Sequence, residues 1–308
     1  MKHLFIVNPV AGGKDHTMEI RARAANAMEQ RPGEDWEVYV TQWPMDASRK
    51  IRLDAAYCEH LRVYACGGDG TFNECVNGAA LLEHVAVCPF PTGTGNDFCR
   101  MFGEDKDLFR DLDALLAGRE VPIDLILCNG RYSANICSVG IDARIGTSVH
   151  KYSRIPLIGG ATGYVVSAAV NMFKGISSRM RIRCGDFRAE AKHSLVCACN
   201  GRFYGGGFNP SLDARPDDGI MDIFVVKKVN LFQFAALIGR YAKGQADRMP
   251  KYVTHLHTSQ DLHIEFDAED VVNVDGEAMF AESLTMRMVP KAMKLLIPRG
   301  LRFFDETE

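Results

Sequence analysis

Short apolar runs and stretches with helical apolar periodicity alternate along the first 125 residues. Residues 4–8, 36–41, 62–66 and 85–90 read as strands, and 17–28, 47–57, 71–82 and 108–117 as helices. Strands separated by helices of this length predict βαβ units and a parallel sheet. Ligand-binding loops then lie beyond the strand carboxyl ends. After residue 122 the texture changes to short strands in close succession: 123–128, 132–139, 179–184, 187–192, 194–200, 221–227, 262–266, 271–275 and 284–289. Gly185-Asp186 separates two alternating runs and predicts a two-residue hairpin turn. This half reads as an antiparallel sandwich or barrel, interrupted by helices over 162–174 and 231–243.

The fold class expected is therefore an α/β N-terminal domain with a parallel sheet, over 1–122, followed by a β-rich sandwich domain over 123–292. A length of 308 residues suits two such cores. No Pro-, Gly- or Ser-rich linker separates the halves, so a shared cleft is expected. The composition, 47% hydrophobic and 24% charged, is that of an ordinary globular protein, and a formal charge of −3 gives no basic domain for nucleic acid. Ten cysteines without a CxxC pair argue against a cysteine zinc site or a disulfide scaffold. They suit core positions in a reducing cytoplasm. The apolar start, residues 1–7, is too short for a signal-peptide core. Residues 155–173 carry no charge, but Pro156, Gly159, Gly160, Gly163 and Asn171 dilute them. The prediction there is a buried or lipid-facing helix over 162–174 and no membrane span.

The chemistry concentrates at glycine turns after predicted strands. Gly67-Gly68-Asp69-Gly70-Thr71 lies between a strand and a helix start, where free backbone N–H groups and the helix dipole favour phosphate. Thr71 and Glu74 have capping-box spacing, which predicts a helix beginning at Thr71. A carboxylate at Asp69 repels phosphate unless a cation intervenes, and Mg²⁺ resolves the conflict. Two further turns follow strands: Asn8-Pro9-Val10-Ala11-Gly12-Gly13-Lys14 and Pro91-Thr92-Gly93-Thr94-Gly95-Asn96-Asp97. The first lacks the ending of a Walker loop. Asn96 reads equally as a helix cap or a ligand contact. In the second half, Tyr204-Gly205-Gly206-Gly207-Phe208 leads to Pro216-Asp217-Asp218-Gly219, which suits either a hard cation or an ordinary turn. Asn273-Val274-Asp275-Gly276-Glu277 reads as a charged hairpin turn or as a base beside a metal-side carboxylate. Asp142, His255 and His257 read as structural or surface residues.

Taken in order, these pieces resemble the diacylglycerol kinase catalytic family, which includes bacterial lipid kinases, sphingosine kinases and ceramide kinases. The matching residues are Asn8-Pro9 with Gly12, Gly67 to Thr71 with Asn73-Glu74, the Pro91 to Asp97 run, Asp124, and Asn200-Gly201-Arg202. Gly205 to Gly207, Asp217-Asp218-Gly219 and Asp275-Gly276-Glu277 complete the set. The resemblance implies an N-terminal domain similar to NAD kinases and phosphofructokinases, a β-rich second domain, a nucleotide between them, and a C-terminal segment, 293–308, returning to the first domain. It implies ATP contacts from Asn8, Pro9, Val10, Ala11, Gly12, Thr41, Gly67, Gly68, Asp69, Gly70, Thr71, Phe72, Asn73 and Thr94. It also implies catalytic Mg²⁺ near Asp69, and a second Mg²⁺ held by Asp218 with the carbonyls of Arg215 and Ile220. Glu277 becomes the proton acceptor, supported by Asp275. Val10-Ala11 departs from the small hydroxyl residue usual in relatives.

The implied activity is ATP-dependent phosphorylation of a membrane lipid, diacylglycerol to phosphatidic acid, with a sphingoid base or another lipid alcohol left open. An NAD-kinase-type phosphotransferase shares the Gly-Gly-Asp-Gly element, but the 91–97 run and the Gly205 to Gly207 loop fit the lipid branch. A non-catalytic nucleotide sensor would not need Asp69, Asp275 and Glu277. Peripheral membrane contact is expected, and Lys174, Arg179, Arg181, Arg183 and Arg188 form a basic stretch that reads either as a docking patch or as the solvent face of a strand. A homodimer through a sheet edge is left open.

Overall fold

The computed structural model describes residues 1–92, 96–144 and 176–305. The predicted helix over 162–174, with Lys174, lies outside them, as do Gly93, Thr94 and Gly95. The chain divides into two compact units, Met1–Leu125 with Pro290–Glu308, and Ile126–Val289.

In the first unit, strands β1 (Lys2–Val7), β2 (Asp35–Val40), β3 (Leu61–Gly67) and β4 (Val85–Pro91) form a parallel sheet in the order β2-β1-β3-β4. Val85–Pro91 is buried at every position, and Lys2–Val7 at all but the first. This explains why these strands read as continuous apolar runs: helices cover both faces of a parallel sheet. Helices α1 (Thr17–Met28), α2 (Asp46–Ala55) and α3 (Asp69–Ala79) make the crossovers. A short α4 (Asp97–Arg100) follows β4, and α5 (Leu112–Leu116) follows a 3₁₀ segment, Gly103–Arg110, so the predicted helix over 108–117 is split in two. Asp111 causes the break by capping the second piece, accepting the Asp113 and Ala114 amides. The chain's last long strand re-enters this unit and pairs parallel to β4, with Lys294 opposite Ala86.

The second unit is β-rich and antiparallel. Strand β5 (Arg119–Cys128) leads into it and pairs with β6 (Arg131–Ser133). Then come β7 (Ile136–Gly140), β8 (Ser178–Cys184), β9 (Phe187–Cys199), β10 (Met221–Lys227), α6 (Leu231–Tyr241), β11 (Val253–Thr258), β12 (Leu262–Val274) and β13 (Glu277–Ile297). Two of these strands are longer than the apolar pattern suggests. The runs 187–192 and 194–200 are one strand, β9, and 262–266 and 271–275 join across a bulge in β12. β7 and β8 lie end to end between β9 and β12, each pairing with both. Cys184 pairs with Phe187, which makes Gly185-Asp186 the predicted two-residue turn.

The faces of β9 explain its mixed sequence. Val196 and Ala198 enter one apolar cluster, with Ile223 and Leu262, while Leu195, Cys197 and Cys199 enter another, with Phe224 and Tyr241. β8 buries only alternate residues, so its arginines face solvent. Among the described residues, no helix is long and apolar enough to cross a membrane.

Candidate active site

The strand order places the carboxyl ends of β2, β1, β3 and β4 side by side. Backbone bonds stitch the turns together just past those ends. Thr41 N–H donates to the Val7 carbonyl (2.9 Å), Asn8 N–H to Cys66 (3.2 Å), and Thr92 N–H to Gly67 (3.4 Å). Asn8 to Gly12, Thr41, and Gly67 to Asn73 are thus brought to one edge of one sheet. Thr94 lies outside the described residues. Asn8 Oδ1 accepts the Val10 N–H at 3.1 Å, which closes the first turn, and Gly12 and Gly13 follow with φ of 70° and 76°. Those dihedrals are costly for residues with a Cβ, so the paired glycines are a backbone requirement.

The second turn differs from the sequence expectation in its helix start. α3 begins at Asp69 with Gly68 as N-cap, and no side chain caps it. Thr71 is instead buried beneath Gly67, where any Cβ would collide with the Thr71 hydroxyl. Glu74 turns away to accept the Ala47 N–H at 3.3 Å, so the capping box does not form. The Thr71 hydroxyl has no hydrogen-bond partner among the described residues. With the first-turn N–H groups, it leaves donor capacity at a helix N-terminus, where anions are stabilised.

Asp69 Oδ1 accepts the Asp97 N–H at 2.8 Å and ties the second turn to the end of the third. Asn96 Oδ1 accepts the Cys99 N–H at 3.1 Å, which gives Asn96 its capping role. Phe72 packs on Phe98 (4.8 Å between ring centres), so α3 and α4 are also joined by apolar contact.

In the second unit, Asp275 and Gly276 form the turn between β12 and β13, at φ of 50° and 94°, with Val274 paired to Glu277. The Asp275 carboxylate accepts the Ser133 hydroxyl (2.5 Å) and the N–H groups of Ala134 (2.9 Å), Asn135 (3.1 Å) and Ile136 (2.9 Å). Asp275 therefore pins the β6–β7 connection to the hairpin, a positioning role. Glu277, two residues on, is exposed, and its carboxylate has no hydrogen bond or ion pair among the described residues.

The loop 211–220 pairs the Arg215 guanidinium with Asp217 (3.0 and 3.1 Å). Asp218 is exposed, and its Oδ1 accepts the Ile220 N–H at 3.0 Å, which places Asp218 and Ile220 in one turn. A carboxylate with two backbone carbonyls is an all-oxygen donor set, as hard cations take. Arg179, Arg181 and Arg183 are paired across strands with Glu190, Glu265 and Asp267. They form the solvent face of β8, where these pairs offset their charge, while Arg188 donates to the Gly185 and Phe187 carbonyls. Asp142 had no context in the sequence. In the structure, burial pushes its carboxyl up to about 6, against bonds from Ser138, the Ala143 N–H and Tyr204.

The diacylglycerol kinase catalytic domain family model matches residues 2–128. The YegS C-terminal NAD kinase beta sandwich-like domain model matches 135–297, more than half of the chain. The chain belongs to the diacylglycerol kinase catalytic-domain family. It is 28% identical over 293 residues to a Shewanella frigidimarina protein named "Probable lipid kinase YegS-like", covering 93% of this chain and 92% of that one. It is 27% identical to a diacylglycerol kinase of Staphylococcus epidermidis over 276 residues, 88% of this chain and 84% of the relative. Among solved structures, a Bacillus anthracis diacylglycerol kinase superposes with a TM-score of 0.70 at 24% identity, covering 97% and 98% of the two chains, and bears on the fold. The fold is that of this kinase family, an N-terminal domain followed by a β-rich domain.

Proposed function

We propose that this lipid-kinase family member transfers the γ-phosphate of ATP to the free hydroxyl of diacylglycerol, giving phosphatidic acid. The observation that carries the reading is the joining of the glycine turns at one sheet edge, with the Asp69 carboxylate tying two of them. In phosphoryl transfer a protein chiefly positions the reactants and stabilises charge on the transferring group. The N–H groups at the start of α3 and the turn at Asn8 to Gly13 would bind the donor's phosphates. Asp69 would hold one Mg²⁺, which would supply charge neutralisation at the phosphates, and Asp218 with the Arg215 and Ile220 carbonyls would hold a second, which would stiffen their loop. Glu277 accepts the proton of the attacking hydroxyl. Its exposed carboxylate, with no hydrogen bond or ion pair among the described residues, supports this assignment.

The acceptor resides in a membrane, so surface contact belongs to the proposal. Leu231 and Phe232, exposed on α6, offer apolar surface for it. Radiolabelled ATP and Mg²⁺ with diacylglycerol in mixed micelles should yield labelled phosphatidic acid. Glu277→Gln should lower turnover by about 10²–10⁴-fold and leave ATP binding near normal. Label that appears in NAD, or in no lipid alcohol offered, overturns the reading.

A further inference from the structure

A cluster of side chains with no part in the reading above joins two strands at the edge of the second unit. Asp222 on β10 stands directly opposite His257 on the edge strand β11, and His255 lies two residues along the same strand, on the same face. Asp222 Oδ1 lies 2.8 Å from His255 Nε2 and 2.9 Å from His257 Nδ1. One oxygen and two imidazole nitrogens therefore converge, all within 4.8 Å of one another.

We propose that Asp222, His255 and His257 form a binding site for a zinc-class divalent cation that clips β11 to β10. The donor set is two imidazoles and one carboxylate, the chemistry that Zn²⁺ accepts with solvent completing the shell. At cation–ligand distances of about 2.0–2.2 Å, ligand atoms sit about 2.9 Å apart at right angles and about 3.4 Å apart in a tetrahedron. The two Asp222–imidazole separations match the right-angle spacing and need to widen by about half an ångström for the tetrahedral one. The exposed member supplies that freedom, because the His257 side chain is 57% accessible whereas that of Asp222 is 6%.

The other two ligands are held in place. The His255 ring stacks on Phe224, its direct cross-strand partner, at 4.4 Å and 12°. Asp222 Oδ2 lies 3.2 Å from the Ser211 hydroxyl, which fixes the carboxylate's rotation. Partners of this kind orient ligands and raise affinity. In the ion's absence the two rings hydrogen-bond to Asp222, so the cluster stays satisfied in either state. On metal binding the two ring nitrogens now facing Asp222 turn lone pairs to the cation, and each ring's proton moves to its other nitrogen.

This site does not depend on the kinase reading. Calorimetric titration of Zn²⁺ in saturating Mg²⁺, which occupies hard-oxygen sites, should show one zinc equivalent in the unaltered chain. His255→Gln/His257→Gln should remove it, weakening that binding about 100-fold or more. The variant His257→Gln, which leaves Asp222 and the less exposed His255 in place, should weaken it about tenfold and fold normally. Zinc should raise the melting temperature of the unaltered chain and leave that of the double variant unchanged. Equal zinc uptake by all three proteins, or none by the unaltered chain, overturns the site.

Discussion

The Asp69 carboxylate receives the backbone N–H of Asp97 at 2.8 Å, so one side chain at the start of α3 also anchors the start of α4. Its two duties separate by substitution. Asp69→Asn keeps an acceptor for the amide but removes the charge, so stability should change by no more than about 1 kcal/mol. Transfer should fall by about 100-fold or more, because charge at the phosphates is then uncompensated. Asp69→Ala should lose transfer and also about 1–3 kcal/mol of stability. Thermal melts beside the micelle assay check this pair; an active Asp69→Asn enzyme contradicts the cation role.

Gly67→Ala places a methyl group against the buried Thr71 hydroxyl, at the point where β3 turns into α3. Thr71 sits in the first turn of α3 and cannot swing away cheaply. The expected cost is about 1–3 kcal/mol of overpacking, with weaker ATP binding. Denaturant melts and nucleotide titration measure both effects. An unaffected variant would mean that the strand–helix junction is looser than this contact implies.

Asp275, in the β12–β13 turn, and Glu277, just after it, should fail in opposite ways. Asp275→Ala leaves the N–H groups of residues 134–136 without their acceptor and should cost about 3 kcal/mol or more. Glu277→Gln removes no hydrogen bond or ion pair seen among the described residues and should melt within about 0.5 kcal/mol of the unaltered chain while losing transfer. A stable Asp275→Ala, or a strongly destabilised Glu277→Gln, would reverse the assignment.

Asp142 gives a pH dependence of defined sign. Burial raises its carboxyl to about 6 in the folded chain, above the ordinary carboxylate value. The stability it contributes is fully present below about pH 4 and is lost as pH rises through about 6. Asp142→Asn should therefore stabilise at pH 7.5 by about 3 kcal/mol and be close to neutral at pH 4. Urea melts at the two pH values test it, and a gain that is larger at pH 4 contradicts the burial argument.

The parallel strands were legible because each is apolar along its whole length, and the turn at Gly185-Asp186 because alternation stops on both sides of it. β11 escaped notice: Val253–Thr258 alternates, but His255 and His257 occupy the face that carries Val253, in place of clear apolar residues. The Thr71–Glu74 spacing misled, since a capping box also needs Thr71 outside the helix, and packing under Gly67 drew it inside. The basic stretch was ambiguous because pairing with Glu190, Glu265 and Asp267 depends on strand register.

Local chemistry is written in the chain itself. Glycine where backbone must turn, carboxylates beside it, and the period of apolar positions identify the strands, the turns and the family. Which groups meet is a property of tertiary structure, because hydrogen bonds between residues 69 and 97, 136 and 275, or 222 and 257 form only after strand order and register bring distant segments within 3 Å of one another. Sequence spacing carries no record of that distance. This is why Asp275 proved to be an anchor, and why two histidines with no neighbouring motif came to share one aspartate.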